Sequence, residues 1–343
     1  QEVLGSTPSG RAKKYRILYV MYFNKKNYFF HGIMFHHFHD NKIHLPGQGS
    51  ISKDNFYKII NFIGKNNILN AEDFFHRYKE KKLLETNVCL TFDDSLKCQY
   101  DIVAPILDEM NIKAFFFIQT SIFTANPDLL EIYRYFRLNF YNTVNNFYDD
   151  FFKVFNKHHN QNLEKIYKEQ KNKIEKMKKD SPFYSYNDIK FRLVREDILT
   201  NDEYSQIMIK MFEKKNFDYN SIIKNLFLSK NDLKQLRQNG HIIGLHSHSH
   251  PYKLEYLNYE KQFDEYNQNL NMLSGILNNK EKIISMSHPC GSYNNNTFDI
   301  LKKLGIEIGF RDNISFTTKM NRINNSKFEI ARQDHSYIIK MMN

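Results

Sequence analysis

Seven short apolar runs, of three to seven residues each, recur along the chain at residues 17–23, 33–35, 88–92, 114–118, 242–245, 283–286 and 306–310. Runs of that length bounded by polar residues read as strands, and several precede stretches with the three-to-four-residue apolar step of a helix. Strands alternating with helices build parallel α/β folds rather than all-β sandwiches, and this number of units is enough to close a barrel. Between residues 92 and 114, Ile102, Ile106 and Met110 recur every four residues as one helix face, with Pro105 expected to kink it. Beyond residue 245, Tyr256, Tyr259, Phe263, Tyr266, Leu270, Leu273 and Leu277 mark a long amphipathic helix.

Residues 127–229 break this rhythm with aromatic and lysine-rich helical segments, so the expected organisation is a barrel from 13–126 and 230–343 with a helical insertion between. A helical subdomain explains the aromatics of the insertion better than a carbohydrate-stacking platform, because they fall at mixed spacing. Residues 1–12 have the composition of a linker or cloning remnant and are expected to be disordered. The apolar run in "KKYRILYVMYF" is short and ends in "NKK" without a small-residue cleavage site, which reads as a strand rather than a targeting signal. No stretch approaches the roughly 20 apolar residues of a membrane span. Three cysteines without paired spacing imply no disulfide framework, and a cytoplasmic, reducing location is expected.

The net charge of +11 invites a nucleic-acid partner, but the lysines are scattered. The one dense segment, "EKIYKEQKNKIEKMKK", interleaves glutamates as a solvated helix face does. No nucleic-acid role is expected.

The chemistry sits where the apolar runs end. "VCLTFDDS" ends in Asp93 and Asp94, whose side chains point opposite ways on an extended backbone, so one can bind a metal while the other takes a proton. A helix N-cap with a first-turn acid would explain the pair equally well. "HIIGLHSHSHP" holds four of the fourteen histidines. An extended backbone would put His246, His248 and His250 on one face; a helical turn would unite only His246 and His250, which then need a carboxylate such as Asp94. Pro251 pushes His250 away from helical backbone. "HGIMFHHFHD" repeats the theme, with run 33–35 leading into His36, and "SHPCGSY" follows run 283–286. In parallel barrels the C-terminal strand ends share one face, so these deliveries converge.

In order, "LTFDDS", the H-S-x-x-H-P pattern of "HSHSHP", and "HPCGSY" resemble the motifs of the polysaccharide deacetylase (NodB-homology, carbohydrate esterase 4-like) family. The resemblance runs over about residues 33–118 and 228–331. It implies an irregular (β/α) barrel of seven or eight units and removal of acetyl groups from sugars with one divalent metal, Zn2+ before Co2+, Ni2+ or Mn2+. It further implies that Asp94, His246 and His250 bind the metal, that Asp93 is the general base and that His248 is either a bystander or a support behind the ligands. Pro289, Cys290 and Gly291 correspond to the family's substrate-binding Pro-Tyr-Gly-like loop, with the Cys290 N–H facing the developing oxyanion. The family's late catalytic histidine has no match near the C-terminus. In the permuted exopolysaccharide-deacetylase branch it comes from an N-terminal segment that "MFHHF" resembles, which puts His36 in that place. Ser95 stands where the family has glycine, Ser287 stands where its third motif has arginine, and the chain has no tryptophan for the fourth. Arg332 in "EIARQDHS" is the candidate replacement for the arginine.

The expected activity is hydrolysis of an N-acetyl group on a sugar, nucleotide-sugar, lipid-linked sugar or glycan of surface-polysaccharide biosynthesis. Asp93 would take the water proton, and His36 would protonate the leaving amine, a role that suits a histidine because its ordinary pKa of about 6.5 leaves both forms accessible. The alternative is a catalytically inactive carbohydrate-binding pseudo-deacetylase, motivated by Ser95 and the missing arginine. A cysteine hydrolase built on Cys290 and His288 is disfavoured, because residues so close in sequence rarely form a nucleophile–base pair.

Overall fold

The computed structural model describes residues 31–159, 162–180, 184–278, 282–313 and 326–342. Within them the chain divides into two compact units, one from 31–128 and 224–342, the other from Leu129–Ile223. The first is a closed barrel of seven parallel strands: β1 (Gly32–Phe35), β2 (Cys89–Phe92), β3 (Phe115–Ile118), β4 (Ile242–Leu245), β5 (Ser285–Ser287), β6 (Ile308–Asn313) and β7 (Ile330–Asp334). Each strand pairs with its neighbour in sequence, and β7 closes onto β1 with Gly32 opposite Arg332 and Met34 opposite Asp334. The α/β-barrel expectation holds, at seven strands. Run 17–23 lies outside the described residues. β7 was not among the runs selected by apolarity, because "IARQD" carries three polar side chains although its first four residues are buried.

Strand alternation sorts the barrel into two rows. Phe35, Phe92 and Phe116 stack across adjacent strands, at 5.4 and 4.8 Å between ring centroids, and Phe56 of helix Lys53–Ile63 meets Phe35 edge-on at 5.2 Å. The opposite parity faces inward: Phe115 and Phe117 pack on Phe310 at 5.2 and 5.4 Å. Each fully buried phenylalanine contributes about 1.5–3 kcal/mol. Continuing the inward parity to the C-terminal ends brings His36, Asp93, His246 and Ser287 onto one interior face, and Arg332, which shares that parity from the middle of β7, extends its guanidinium to Asp93 and Ser287. Gly32 is needed there, since a Cβ would lie 2.8 Å from Arg332 Cγ.

After β2 the chain makes a π-helical turn, Gln99–Val103, before helix Ala104–Glu109. Helical backbone runs on from Lys97 through this turn to Glu109, so Pro105 lies inside a helix, and the distortion expected there takes the form of the π-helical turn on its N-terminal side. The long helix runs Tyr259–Ile276, and its buried stripe is Gln262, Tyr266, Asn269, Leu273 and Ile276, rotated from the aromatic face read in the sequence. Tyr256 precedes this helix and is exposed. Two amides occupy the stripe because they hydrogen-bond, as shown below for Asn269.

The second unit contains helices Leu130–Asn139, Val144–His158, Leu163–Glu169, Lys171–Asp180, Tyr186–Leu193 and Asn201–Lys214. Its aromatics Phe136, Phe147, Tyr148, Phe151, Phe155 and Phe191 are buried in its own core rather than displayed. Among the described residues no helix is long and apolar enough to cross a membrane.

Candidate active site

Asp93 and Asp94 follow β2. Asp94 and Ser95 both take left-handed backbone, at φ 72° and 59°, so the two carboxylates diverge because the chain turns, not because an extended strand alternates. Ser95 explains the glycine expected at this position. Its strain is offset by its buried hydroxyl, which accepts from Gln119 N–H at 3.0 Å and donates to Gln119 O at 3.3 Å. The histidine segment is likewise neither extended nor helical: Ser247 and His250 are left-handed at φ 61° and 54°. Pro251 excludes helical backbone from His250, and the turn is left-handed rather than extended.

That turn folds His246 and His250 together, with ring centroids 4.9 Å apart. Their Nε2 atoms each lie 3.3 Å from Asp94 Oδ1. Among the described residues, the donor atoms of Asp94, His246 and His250 lie within 4.8 Å of one another, and all three residues are buried. The His246 Nδ1–H donates to Ser287 O at 2.9 Å, which orients the ring so that Nε2 faces Asp94. One carboxylate and two imidazoles so arranged fit a zinc-like divalent ion and leave room for further ligands. Burial pushes the Asp94 carboxyl up, but the His246 hydrogen bond and the charges of His36, His250 and His246 overcome it and hold the group far below the ordinary range.

His248 points elsewhere. Its Nδ1 shares a 2.9 Å hydrogen bond with Thr120 Oγ1, and its backbone N–H donates to Glu265 at 3.0 Å.

Asp93 is 2% exposed and is held by Arg332, 1% exposed, through paired bonds of 2.8 Å to Oδ1 and 2.7 Å to Oδ2. Arg332 also donates to Ser287 Oγ at 2.8 Å, Thr91 Oγ1 at 3.2 Å and Arg311 O at 2.9 Å. Ser287 Oγ in turn donates to Asp93 Oδ2 at 3.2 Å. Burial raises the Asp93 carboxyl, but Arg332, with His246 and His36, more than offsets it, and the group titrates below its ordinary value. The serine at the expected arginine position thus leaves space that the guanidinium of β7 fills. His36 follows β1 and brings Nε2 to 3.8 Å from Asp94 Oδ2.

The turn Pro289–Gly291 follows β5, with the Cys290 side chain exposed and its backbone left-handed at φ 51°. The His288 ring stacks on Tyr293 at 4.2 Å and donates from Nε2 to Phe328 O at 2.8 Å. Burial lowers His288 to about 3, and this commitment argues against it as a base for Cys290.

Sequence reasoning passed over Asn269 and Gln99. Asn269 Oδ1 accepts from His246 N–H at 3.0 Å, while its Nδ2 donates to Ile118 O at 2.9 Å and Thr120 Oγ1 at 3.1 Å. The available signal was an amide at a helical step from Tyr266 and Leu273, where an apolar residue is the norm. Gln99, fully buried, bonds the two strand ends that carry His36 and Asp93.

Among curated proteins, none matches the chain. Among solved structures, the chain is similar to the Streptococcus pyogenes deacetylase PplD in complex with acetate (16% identity, TM-score 0.51, 92% of this chain and 98% of that one covered). It is also similar to IcaB from Ammonifex degensii (12%, 0.51, 89% and 91%) and to a de-N-acetylase from Aggregatibacter actinomycetemcomitans (14%, 0.51, 91% and 98%). At these identities the likeness carries the fold. The family model described as polysaccharide deacetylase matches residues 80–179 and 204–309, taking in Asp93, Asp94, His246, His250 and Pro289–Gly291, while β1 and β7 supply His36 and Arg332 from outside the matched stretches. Because those stretches make up more than half of the chain, it belongs to the polysaccharide deacetylase family.

Proposed function

We propose that this protein is a metal-dependent N-deacetylase of a sugar or glycan, acting on an N-acetylated unit of a surface polysaccharide or its nucleotide- or lipid-linked precursor. The observation that carries the reading is the abutment of two buried groups at one barrel mouth: the Asp94–His246–His250 donor set and the Asp93–Arg332 pair, joined through Ser287. A divalent ion held by the donor set, zinc being our choice, would supply Lewis acidity toward water and the acetyl carbonyl. Asp93, kept ionised by Arg332, accepts the proton of the attacking water. Arg332 and Ser287 aim its carboxylate, so little reorganisation accompanies the transfer. The Cys290 N–H is assigned to the developing oxyanion. His36 delivers a proton to the leaving nitrogen, and Asn269 with Ser287 O keeps the His246 ring oriented.

The binding-only alternative rested on two departures. Arg332 compensates the first, and the double hydrogen bond of Ser95 accounts for the second. The test is acetate release from a panel of N-acetylglucosamine oligomers and acetylated sugar precursors. Asp93→Asn is expected to lower turnover by about 10²–10⁴-fold with the metal still bound, as loss of a general base does. Unchanged turnover in that variant would refute the assignment.

A further inference from the structure

We infer that Gln99 is a positioning residue that sets the spacing between the proposed acid and base; the catalytic part of this inference rests on the function proposed above. Gln99 opens the π-helical turn after β2 and is fully buried. Its Nε2 donates to His36 O at 2.9 Å and to Asp93 O at 2.5 Å. Both partners are carbonyls, which only accept, so the amide orientation is forced. Its Oε1 has no hydrogen-bond partner among the described residues. A buried acceptor left in this way is unfavourable, so the side chain adopts this position for what its nitrogen does.

Each of the two carbonyls belongs to a residue whose side chain carries one half of the proposed proton transfer. Among the described residues, the last backbone bond between β1 and β2 at this end is Asp93 N–H to Phe35 O at 3.1 Å. Beyond it the ladder stops, and His36 and Asp93 would splay with the twist of the strands. Gln99 replaces the next rung with a side chain, clamping the two strand ends where the ladder no longer can. The π-helical turn puts one extra residue into the helix start, a device that often marks functional sites and here accompanies the inward placement of Gln99.

The test compares wild type with Gln99→Met, which keeps shape and loses both donors, and Gln99→Glu, which retains a single O–H donor only while protonated. Turnover per bound zinc should fall about 10- to 100-fold in Gln99→Met, the scale for misplacing reacting groups by about 1 Å, while KM stays within about twofold. In Gln99→Glu the activity relative to wild type should decline as pH rises, because the ionised carboxylate opposes two carbonyls, whereas the Gln99→Met ratio stays flat. Independently of turnover, hydrogen exchange at the Asp93 N–H should speed about tenfold or more in both variants. Turnover within about twofold of wild type in Gln99→Met, or unchanged Asp93 exchange, would overturn the inference. Should Gln99→Met fail to fold, the pH trend of Gln99→Glu decides, and failure of both to fold or bind zinc would assign Gln99 a purely structural role. A wild type that releases no acetate while both variants show faster exchange would sink the deacetylase reading and leave the clamp standing.

Discussion

Replacing Arg332 with methionine tests the Asp93 arrangement quantitatively. The guanidinium makes five hydrogen bonds, two of them to a carboxylate as buried as itself, so screening by solvent is slight. Removing one partner of a buried pair costs about 3–5 kcal/mol, against about 0–1 for a surface pair, chiefly because the remaining charge stays buried and unpaired. Methionine fills much of the volume, so packing loss is a small part of this. The pH dependence has a definite sign. In the wild type Asp93 titrates below its ordinary value, so its contribution is present above the unfolded carboxylate pKa and lost as pH falls through the lower folded one. Without Arg332, burial dominates and the folded pKa moves above the unfolded value. The deficit of Arg332→Met should therefore be smallest in acid and grow as pH rises past the ordinary carboxylate range. Urea unfolding of both proteins across pH 3–8 measures this, and the acid limb of the activity profile should move to higher pH in parallel. Adding Asp93→Asn should recover about 1–3 kcal/mol relative to the sum of the single changes. A deficit below about 1 kcal/mol, or one independent of pH, would refute the reasoning.

Other outcomes follow from neighbouring contacts. Gly32→Ala should reduce turnover by displacing Arg332, whose Cγ would lie 2.8 Å from the new methyl group, and the double variant with Arg332→Met should show less than additive loss. Asn269→Leu should weaken metal affinity about 10–100-fold in a chelator competition, since it orphans the His246 N–H that Asn269 accepts. His241, fully buried and lowered to about 4 chiefly by burial, should make stability fall as pH drops from about 6.5 toward 4, where the unfolded chain binds the proton first; His241→Leu should flatten that part of the urea-midpoint profile.

The parts of the site legible in sequence were those whose elements announce themselves. β2 and β4 are apolar runs, and their ends carry Asp93, Asp94, His246 and His250 in short motifs. Arg332 was visible only as a candidate, because β7 does not read as an apolar strand: its interior parity holds a guanidinium that is stable there only once Asp93, Ser287 and Thr91 surround it. The choice between two and three histidines was open, since it turned on left-handed residues at Ser247 and His250 that spacing cannot reveal. Asn269 and Gln99 were hidden for a related reason. Each lies on a helical segment whose pattern was judged by apolar residues, and each is buried because of partners on other strands.

The central claim is that one metal ion held by Asp94, His246 and His250 makes this barrel a deacetylase. Zinc titrated into chelator-stripped protein, with bound metal and acetate release from an N-acetylglucosamine oligomer followed together, tests it most directly. Activity should return in proportion to occupancy and saturate at one ion per chain, His248→Ala should follow the wild type, and Asp94→Ala should neither bind nor recover. Acetate release by the stripped protein, or by Asp94→Ala, would contradict the account.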